Sequence, residues 1–309
     1  MSKYKSNINL ADKNNTLTKI VDSVKSHSLV LDIGCSSGYL DEILVEQKTC
    51  RVIGIEPDIA DAKEAEKFCE VVLREDIELD NWKQSLKDYK FDHIILADVL
   101  EHLKDPKRVL EEVKPFLKDK GTILISVPNI SHISVRLELL KGEFIPEEVG
   151  ILDNTHLKYF TKNTMKMLIE SAGYSVAKIS PSTFDFPEIK IKSLLKDIGF
   201  TLDGKAIENL TTGEAIVFQY FFEISKGNLD NKTMISEDKP LQIVKNFLKT
   251  VEKDHRDFKR NLDEEISKLR NENLNLSKKN KELEDKVSFS EKSFGSRLIR
   301  RVKMFSKRN

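Results

Sequence analysis

Residues 29–38 read LVLDIGCSSG, and this stretch decides how the rest of the chain is interpreted. An apolar run ends in Asp32, and Gly34 and Gly38 then precede an amphipathic stretch over residues 39–47. This order is typical of a buried strand, a tight glycine turn and a helix. Because such a turn brings bare backbone and helix N–H groups close to a ligand, the stretch predicts a ligand-binding loop.

Strands and helices continue to alternate after this loop. Further apolar segments with strand character lie at residues 51–55, 71–73, 91–97 and 122–127. Such an alternation indicates a doubly wound parallel sheet, whose ligands bind at the carboxyl ends of the strands. Acidic residues follow three of these strands closely, at Glu56, Asp76 and Asp98. The sequence therefore predicts an α/β fold with a ligand site at this edge of the sheet.

The glycine loop has two possible interpretations, each with a different nucleotide-like ligand. A dinucleotide site would have G-x-G-x-x-G, whereas this chain has D-x-G-x-x-x-G. The latter spacing resembles the first motif of class I S-adenosylmethionine (SAM)-dependent methyltransferases. The segments VIGIEPD, FDHIILADVLEHLKDP and GTILISVPN follow in the order found in that family. To about residue 225, the chain resembles the ubiquinone-biosynthesis-type and type 11/12/23 methyltransferases.

The resemblance implies a Rossmann-like, doubly wound, seven-stranded class I methyltransferase sheet. Its last two strands, over residues 174–179 and 214–224, should be antiparallel as in the family. The implied cofactor is SAM, and Glu56, 22 residues after Gly34, matches the acidic residue that holds ribose hydroxyls. The cofactor-binding residues implied by the resemblance are Asp32, Gly34, Cys35, Ser36, Gly38, Tyr39, Glu56, Asp76, Ile77, Asp98 and Val99.

Two histidines are the candidates for catalysis. Methyl transfer to a hydroxyl requires loss of a proton, and an imidazole that titrates near neutrality suits that role. His156 follows a long segment after the fifth strand and His102 follows the fourth strand, while His132 is a weaker candidate. No metal ion is assigned. An open alternative is that Asp98-x-x-Glu101-His102 with His156 resembles the metal-binding set of small-RNA 3′-end methyltransferases, with Asp in place of its first Glu.

The acceptor is inferred only from a finer resemblance. Residues 127–173 resemble a subgroup associated with bacterial surface-glycan gene clusters, which implies O-methylation of a sugar hydroxyl on a polysaccharide or a lipid-linked precursor. Residues 130–157 are too long for a simple connection and predict a lid over the substrate, whereas the insert at residues 181–213 has no assigned role. The alternatives are a quinone or phenol O-methyltransferase and a coiled-coil scaffold or chain-length regulator with glycosyltransferase partners.

Composition divides the 309 residues into an acidic N-terminal part and a basic C-terminal tail. The chain is 39% hydrophobic and 33% charged with a net charge of zero, but residues 241–309 carry 19 Lys/Arg and 11 Asp/Glu, a net charge of +8. We therefore expect a methyltransferase domain over residues 1–227, a linker over 228–240 and an extended region after it. Three scattered cysteines and the absence of a signal-peptide pattern favour a reducing, cytoplasmic location.

Residues 241–287 carry a heptad pattern. Apolar residues alternate at spacings of three and four, apart from one stutter at Phe258, Leu262 and Ile266. Asn273 and Asn280 then fall at a positions, which favours a parallel homodimeric coiled coil. The basic stretch after it, residues 288–309, contains an amphipathic segment at 294–308 that suits contact with an anionic membrane surface better than with nucleic acid.

Overall fold

The structure is a computed structural model that describes residues 9–227 and 239–305. The chain divides into two compact units, Met1–Ile235 and Ser236–Asn309. The first unit contains the predicted α/β domain and the second is a long helix. Residues 228–238, most of the predicted linker, lie outside the described residues, as do the last four residues of the predicted tail.

Seven strands form one mixed sheet in the first unit. They are β1 (Leu29–Ile33), β2 (Arg51–Ile55), β3 (Val71–Leu73), β4 (Phe91–Ala97), β5 (Leu117–Pro128), β6 (Tyr174–Thr183) and β7 (Val217–Lys226). Their order across the sheet is β3-β2-β1-β4-β5-β7-β6, with β1 to β5 parallel. The last strand, β7, runs antiparallel to both β5 and β6. The predicted doubly wound sheet and its antiparallel final pair are therefore confirmed.

Helices flank the sheet in the first unit. They are α1 (Thr16–Ser23), α2 (Tyr39–Lys48), α3 (Ile59–Ala65), α4 (Asn81–Leu86), α5 (Pro106–Val113), α6 (Ile133–Leu140), α7 (Lys162–Ser171), α8 (Glu188–Asp197) and α9 (Gly204–Thr211). Three single 3₁₀ turns lie at Leu100–His102, Lys114–Phe116 and Gly213–Ala215. The first of these turns follows β4 and contributes directly to the candidate site.

Both faces of the sheet are buried, as the continuous apolar strands require. Along β4, Ile94 and Leu96 pack into the core on one face, and Ile95 packs into the core on the other. All three are fully buried. Because successive side chains of a strand point to opposite faces, one apolar run can supply both cores. This arrangement holds the carboxyl ends of β1, β2 and β4 at one rigid edge.

The predicted lid and the unassigned insert pack on each other. Within residues 130–157, helix α6 buries Ile133 and Leu137 against Ile191 and Leu195 of α8, which belongs to the insert. Residues 141–150, which follow α6, are exposed. The insert therefore has a packing role, because it covers the apolar face of α6. A closing motion of residues 130–157 stays a prediction.

The second unit contains helix α10 (Lys239–Phe305), which is 67 residues long. Apolar residues of the predicted heptad seam lie exposed on it, among them Phe258, Leu262, Leu269, Leu276 and Leu283. The helix is thus confirmed, and its association into a coiled coil stays a prediction. No helix in the described part of the chain is both long and apolar enough to cross a membrane.

Candidate active site

The glycine loop between β1 and α2 needs glycine at two positions. Gly34 and Gly38 have φ angles of +73° and +77°, in the left-handed region that other residues rarely adopt. A Cβ atom at Gly34 would lie 2.7 Å from Cγ2 of Val99, and one at Gly38 would lie 2.8 Å from Cα of Ala65. Gly38 also serves as the N-cap of α2. The loop therefore packs tightly against Val99 and Ala65. Gly34 and Ser36 of the loop line the cavity.

Glu56 at the end of β2 connects two of the loops. One of its carboxylate oxygens accepts the Ser36 N–H at 2.9 Å, and the other accepts the Asp58 N–H at 2.9 Å. Burial raises the pKa of Glu56, although these two hydrogen bonds act in the opposite direction. Asp58 itself caps α3 by accepting N–H groups of that helix. Glu56 is thus held rigidly and keeps lone pairs that ligand hydroxyls can use.

Two further acidic residues lie at the ends of β3 and β4. Asp76 accepts the backbone N–H of Glu78 at 2.8 Å and so shapes its own turn. Asp98 has a φ of +55°, an unusual conformation for a residue with a side chain. Its Oδ1 accepts hydrogen bonds from the Ser126 hydroxyl and the Gln219 amide, which hold it in place. Such strained, well-fixed positions occur frequently at functional sites.

These strand ends open into one cavity of about 1500 Å³. Single-ligand sites typically have volumes of about 300–1,000 Å³, so this cavity has room for two molecules. Of the predicted cofactor-binding residues, those that line it are Gly34, Ser36, Tyr39, Glu56, Asp76, Ile77, Asp98 and Val99. The other predicted residues, Asp32, Cys35 and Gly38, lie outside this lining.

The cavity wall is strongly acidic. It holds eleven Asp and Glu side chains and two Lys side chains. A wall of this charge attracts a cationic ligand and repels a polyanion such as a pyrophosphate. The dinucleotide alternative for the glycine loop is therefore disfavoured, and a sulfonium such as that of SAM fits the charge.

Asp32 instead forms a buried acidic pair with Asp41 of α2. The two carboxyl groups interact electrostatically, and the Cys69 thiol donates to Oδ2 of Asp41 at 3.3 Å. Burial is the main cause that raises the pKa of Asp32 well above its usual value, and burial raises the pKa of Asp41 to about 6. Two adjacent buried carboxylates repel each other, which adds to the rise in the pKa of Asp32. Cys35, also buried, lies beside Cys69 in the same cluster.

His102 and His156 lie together in the cavity lining. Their ring centroids are 4.8 Å apart, with an angle of 70° between the planes. The backbone N–H groups of Leu157 and Lys158 both donate to the Glu101 carbonyl, at 2.8 and 2.9 Å. These bonds anchor the segment that carries His156 onto the turn that carries His102. The fold thus brings together the two histidines that the sequence singles out.

The hydrogen bonds of both rings define their tautomers. Nδ1 of His156 lies 3.0 Å from the Ile151 carbonyl, and Nδ1 of His102 lies 3.3 Å from the Thr155 carbonyl. Because a carbonyl only accepts, each Nδ1 carries the proton. In the neutral rings, the lone pair is consequently on Nε2. That nitrogen is able to accept a proton or to coordinate a cation.

Glu101, between Asp98 and His102, is a buried carboxylate with no evident structural partner. Its side chain is 1% exposed, and neither carboxylate oxygen accepts a hydrogen bond from another described residue. Burial raises the pKa of Glu101 well above its usual value, and the charge of Asp98 adds to this effect. Glu101 and the two histidines each offer a ligand atom, and these atoms lie within 4.8 Å of one another.

His132 joins two elements of the fold. It is 1% exposed, its Nε2 lies 3.1 Å from the Phe184 carbonyl, and its Nδ1 caps helix α6. Burial lowers its pKa. His132 therefore ties α6 to the insert. A catalytic role for any of the three histidines stays a prediction.

Sequence reasoning missed Gln219, Ser126 and Thr155. Gln219 of β7 lines the cavity and holds Asp98, and Thr155 orients His102. The only signal for Gln219 is a polar amide inside the otherwise apolar run VFQYFF. A buried or half-buried polar residue within such a strand is unusual and would have indicated a polar partner.

Comparison with known proteins identifies similar chains. A family model described as a methyltransferase domain matches residues 10–179. The mitochondrial ubiquinone biosynthesis O-methyltransferase of Homo sapiens is 29% identical over 157 residues, which cover 48% of this chain and 42% of that protein. The ubiquinone biosynthesis O-methyltransferase of Histophilus somni is 29% identical over 123 residues, which cover 38% and 51%.

A solved structure shows the same fold. The SAM-dependent methyltransferase from Archaeoglobus fulgidus aligns with a TM-score of 0.51 and 21% identity, over 71% of this chain and 95% of that one. Its similarity supports the fold of the first unit. The two curated relatives are matched over only about half of their length.

Proposed function

This chain belongs to the methyltransferase domain family and is a SAM-dependent methyltransferase. We propose that it methylates a sugar hydroxyl on a surface polysaccharide or a lipid-linked glycan precursor. One observation carries this proposal most directly. A single cavity runs from the glycine loop to the histidine pair and has room for a cofactor and an acceptor. The choice of a sugar as the acceptor rests on the resemblance of residues 127–173 to a glycan-associated subgroup.

The residues at the strand ends fit SAM. When bound, SAM supplies a sulfonium methyl group that a nucleophile displaces directly. Glu56, fixed by two backbone N–H groups, presents its remaining lone pairs to ribose hydroxyls. Gly34 keeps the loop free of a side chain, and Asp76 and Ile77 line the same cavity as Glu56. The acidic wall stabilises the positive charge of the sulfonium cofactor.

The histidine pair supports a hydroxyl acceptor. An alcohol becomes a better nucleophile as its proton leaves, and Nε2 of His156 carries the lone pair that suits this step. Methyl transfer would then form one O–C bond and break one C–S bond, whose electron pair stays on sulfur. The proton passes from the hydroxyl to the imidazole and later to water.

A phenol or quinone acceptor is the second candidate. The curated relatives named above are ubiquinone biosynthesis O-methyltransferases, which supports O-methylation of a small ring hydroxyl. Both candidates share the same site chemistry. They differ in the shape of the acceptor and in its acidity, because a phenol loses its proton far more readily than a sugar hydroxyl.

Labelled SAM separates the two candidates. The full-length protein would be incubated with methyl-labelled SAM and either lipid-linked glycan extracts or a panel of catechols and hydroxyquinones. We expect label in the glycan fraction with the wild type and a large loss with His156→Ala. The control variant is His27→Ala, which removes an exposed histidine outside the cavity. Its activity should match that of the wild type. Label in the phenols alone would replace the sugar proposal with the second candidate.

A further inference from the structure

We infer that Phe218 is an aromatic platform on which the ring of the methyl acceptor stacks. The inference deepens the proposed function and rests on it, because the ring in question is the one whose hydroxyl is methylated. A sugar and a phenol share the chemistry that such a platform recognises. Each is a ring with a face of C–H groups or π electrons that can pack on an aromatic side chain.

The backbone of Phe218 lies at the edge of the sheet where ligands bind. Phe218 is the second residue of β7, which runs antiparallel to β5, so the beginning of β7 lies beside the carboxyl end of β5. The N–H of Asn129, directly after β5, donates to the Phe218 carbonyl at 2.9 Å. Phe218 lines the cavity together with Pro128 and Gln219. The side chain is therefore part of the wall that the glycine loop also helps to form.

The order of the strands separates Phe218 from the glycine loop and from Glu56. The loop follows β1 and Glu56 follows β2, whereas β7 lies beyond β4 and β5 on the other side of β1. Neighbouring strands are about 4.8 Å apart, so β7 lies roughly 14 Å from β1 across the sheet. One cavity of about 1500 Å³ thus has the glycine loop and Phe218 at separate parts of its wall. This separation suits two molecules that bind side by side.

Phe218 is exposed within an otherwise buried aromatic run. In the segment VFQYFF, Tyr220, Phe221 and Phe222 are at most 2% exposed, whereas Phe218 is 37% exposed. Covering apolar surface that is in contact with water is favourable. Small-molecule sites are lined mainly by apolar and aromatic side chains, and a few polar groups fix the orientation of the ligand. The exposed surface of Phe218 is therefore suited to contact with the ring of a ligand.

Two neighbouring rings hold Phe218 in place. The ring centroid of His132 lies 5.4 Å from that of Phe218, with an angle of 81° between the planes, and the Phe184 centroid lies 6.2 Å from it. His132 is itself fixed by contacts to the Ser134 hydroxyl at 2.8 Å and the Phe184 carbonyl at 3.1 Å. A side chain that is held before the ligand arrives loses little freedom on binding, which favours affinity. Since Phe184 belongs to the insert, the insert also helps to shape this part of the wall.

The acidic wall favours a neutral ring at this position. The lining holds eleven Asp and Glu side chains, which repel a phosphate or a sugar carboxylate. Binding of an uncharged ring depends instead on contact area and stacking. The face of an aromatic ring carries partial negative charge, and it attracts C–H groups that neighbouring oxygens polarise. A lipid-linked acceptor would therefore place its ring on Phe218 and keep its phosphate outside the cavity.

Kinetics with matched variants test the platform. Phe218→Leu keeps an apolar side chain without the ring, and Phe218→Tyr keeps the ring. Phe200→Leu is the control, because Phe200 is 45% exposed and lies outside the cavity lining. With full-length protein, methyl-labelled SAM and the glycan or phenol that accepts the label, Phe218→Leu should raise the acceptor KM about three- to tenfold. Its kcat and SAM affinity should stay within about twofold, since Glu56 and the glycine loop belong to other strands.

The split between KM and kcat distinguishes a platform from general damage to the fold. Phe218→Tyr and Phe200→Leu should both match the wild type. An acceptor KM that is unchanged in Phe218→Leu, or equally raised in Phe200→Leu, would overturn the inference.

Fluorescence tests the contact without methyl transfer. Phe218→Trp places an indole at the wall, whereas Trp82, the single tryptophan of the native chain, is fully buried. The full-length variant would be titrated with methyl β-glucopyranoside, catechol or the acyclic polyol sorbitol, with S-adenosylhomocysteine present. We expect one of the two ring compounds to change the emission and sorbitol to leave it unchanged. The wild type, titrated in parallel, corrects for absorption by the probe.

Each outcome of the titration bears on one of the two proposals. A response to the glucoside or to catechol supports the platform and shows which ring it takes. An equal response to sorbitol, or no response to either ring compound, would overturn the inference. A ring-specific response without methyl transfer to any acceptor would support the platform and count against the proposed function.

Discussion

The rings of His102 and His156 meet at 4.8 Å between centroids, although 53 residues separate them in the chain. Two backbone hydrogen bonds to the Glu101 carbonyl bring them together, so the contact is a property of the main chain as well as of the side chains. The end of the predicted lid is therefore docked on the turn after β4. The part of the cavity that holds the two histidines is consequently formed by two elements whose positions depend on each other.

His156→Ala should reduce turnover far more than cofactor affinity. Removal of a positioned base, or of one ligand of a catalytic cation, typically lowers the rate by about 10²–10⁴-fold. Glu56 and the glycine loop are formed by other elements, so SAM binding should remain within about threefold of the wild type. Steady-state kinetics and calorimetry on the same preparations would test this separation. An equal loss of turnover and SAM affinity would mean that His156 holds the cofactor region together.

Gly34→Val should abolish SAM binding. A Cβ at Gly34 would lie 2.7 Å from Cγ2 of Val99, and a φ of +73° costs a residue with a side chain about 1–2 kcal/mol. Gly142→Ala is the matched control, because Gly142 has a φ of +80° but no atom within 4 Å of its Cβ position. Calorimetry with SAM should show loss only in Gly34→Val. If both variants bound equally well, the loop at Gly34 would have no close contact with the cofactor.

Local pattern was enough to predict which strand ends open into the cavity. Strand ends at Ile33, Ile55 and Ala97 are adjacent in a parallel sheet, so residues that follow them must converge. Asp32 behaves differently, since it precedes the strand end by one residue and points away from the lining toward Asp41. The alternation of side chains along a strand predicts the direction of the Asp32 side chain, but only once the exact strand end is known.

The half of the cavity that holds His102 and His156 depends on contacts that are distant in sequence. Gln219 reaches Asp98 because β7 returns antiparallel beside β5, and Thr155 reaches His102 only through the docked segment. Periodicity describes a single element and not its neighbours, so these pairs have no local signal. The burial of Glu101 is similar, because a carboxylate is ordinarily exposed and the segment that docks on its backbone is distant in sequence.

His93 should make stability fall at mildly acidic pH. Burial lowers its pKa to about 4, below the 6.5 of an unfolded histidine, while Nε2 accepts the Lys25 N–H. The unfolded chain therefore binds the proton first as pH falls, and the folded state loses up to about 3 kcal/mol between pH 6.5 and 4. Urea unfolding of the wild type and His93→Gln at several pH values isolates this contribution from that of Asp41, whose raised pKa acts oppositely. A stability difference that does not change with pH would contradict it.

The basic tail should bind anionic membranes. Residues 294–308 combine an apolar face with flanking arginines, and helix α10 continues through Phe305. Such helices bind acidic lipid surfaces through apolar burial and electrostatic attraction, the latter weakened by salt. Flotation with phosphatidylserine vesicles should recover the full-length protein at low salt and less of it at 0.5 M salt. A form ending at residue 290 should stay unbound, and equal recovery of both forms would contradict the prediction.

Helix α10 should associate into a parallel homodimer. Phe258, Leu262, Leu269, Leu276 and Leu283 are exposed along it, by about half of their surface or more. Apolar rows of this length are rare on isolated soluble helices, and pairing two of them removes both rows from water. At a rise of about 1.5 Å per residue, residues 241–287 would form a rod roughly 70 Å long. Light scattering should give a dimer for the full chain and a monomer for residues 1–227, which contain every strand of the sheet.

Asn273 and Asn280 test the register of that dimer. At a positions, paired asparagines select two parallel strands at a cost in stability, so Asn273→Val with Asn280→Val should raise the melting temperature and admit higher oligomers. Asn271→Val is a matched control, since this neighbouring asparagine falls two residues before Asn273 and off the predicted seam. Circular dichroism and light scattering measure both effects. A monomeric full-length protein would refute the coiled coil, whereas an unchanged dimer in the double variant would show that the two residues lie off the seam.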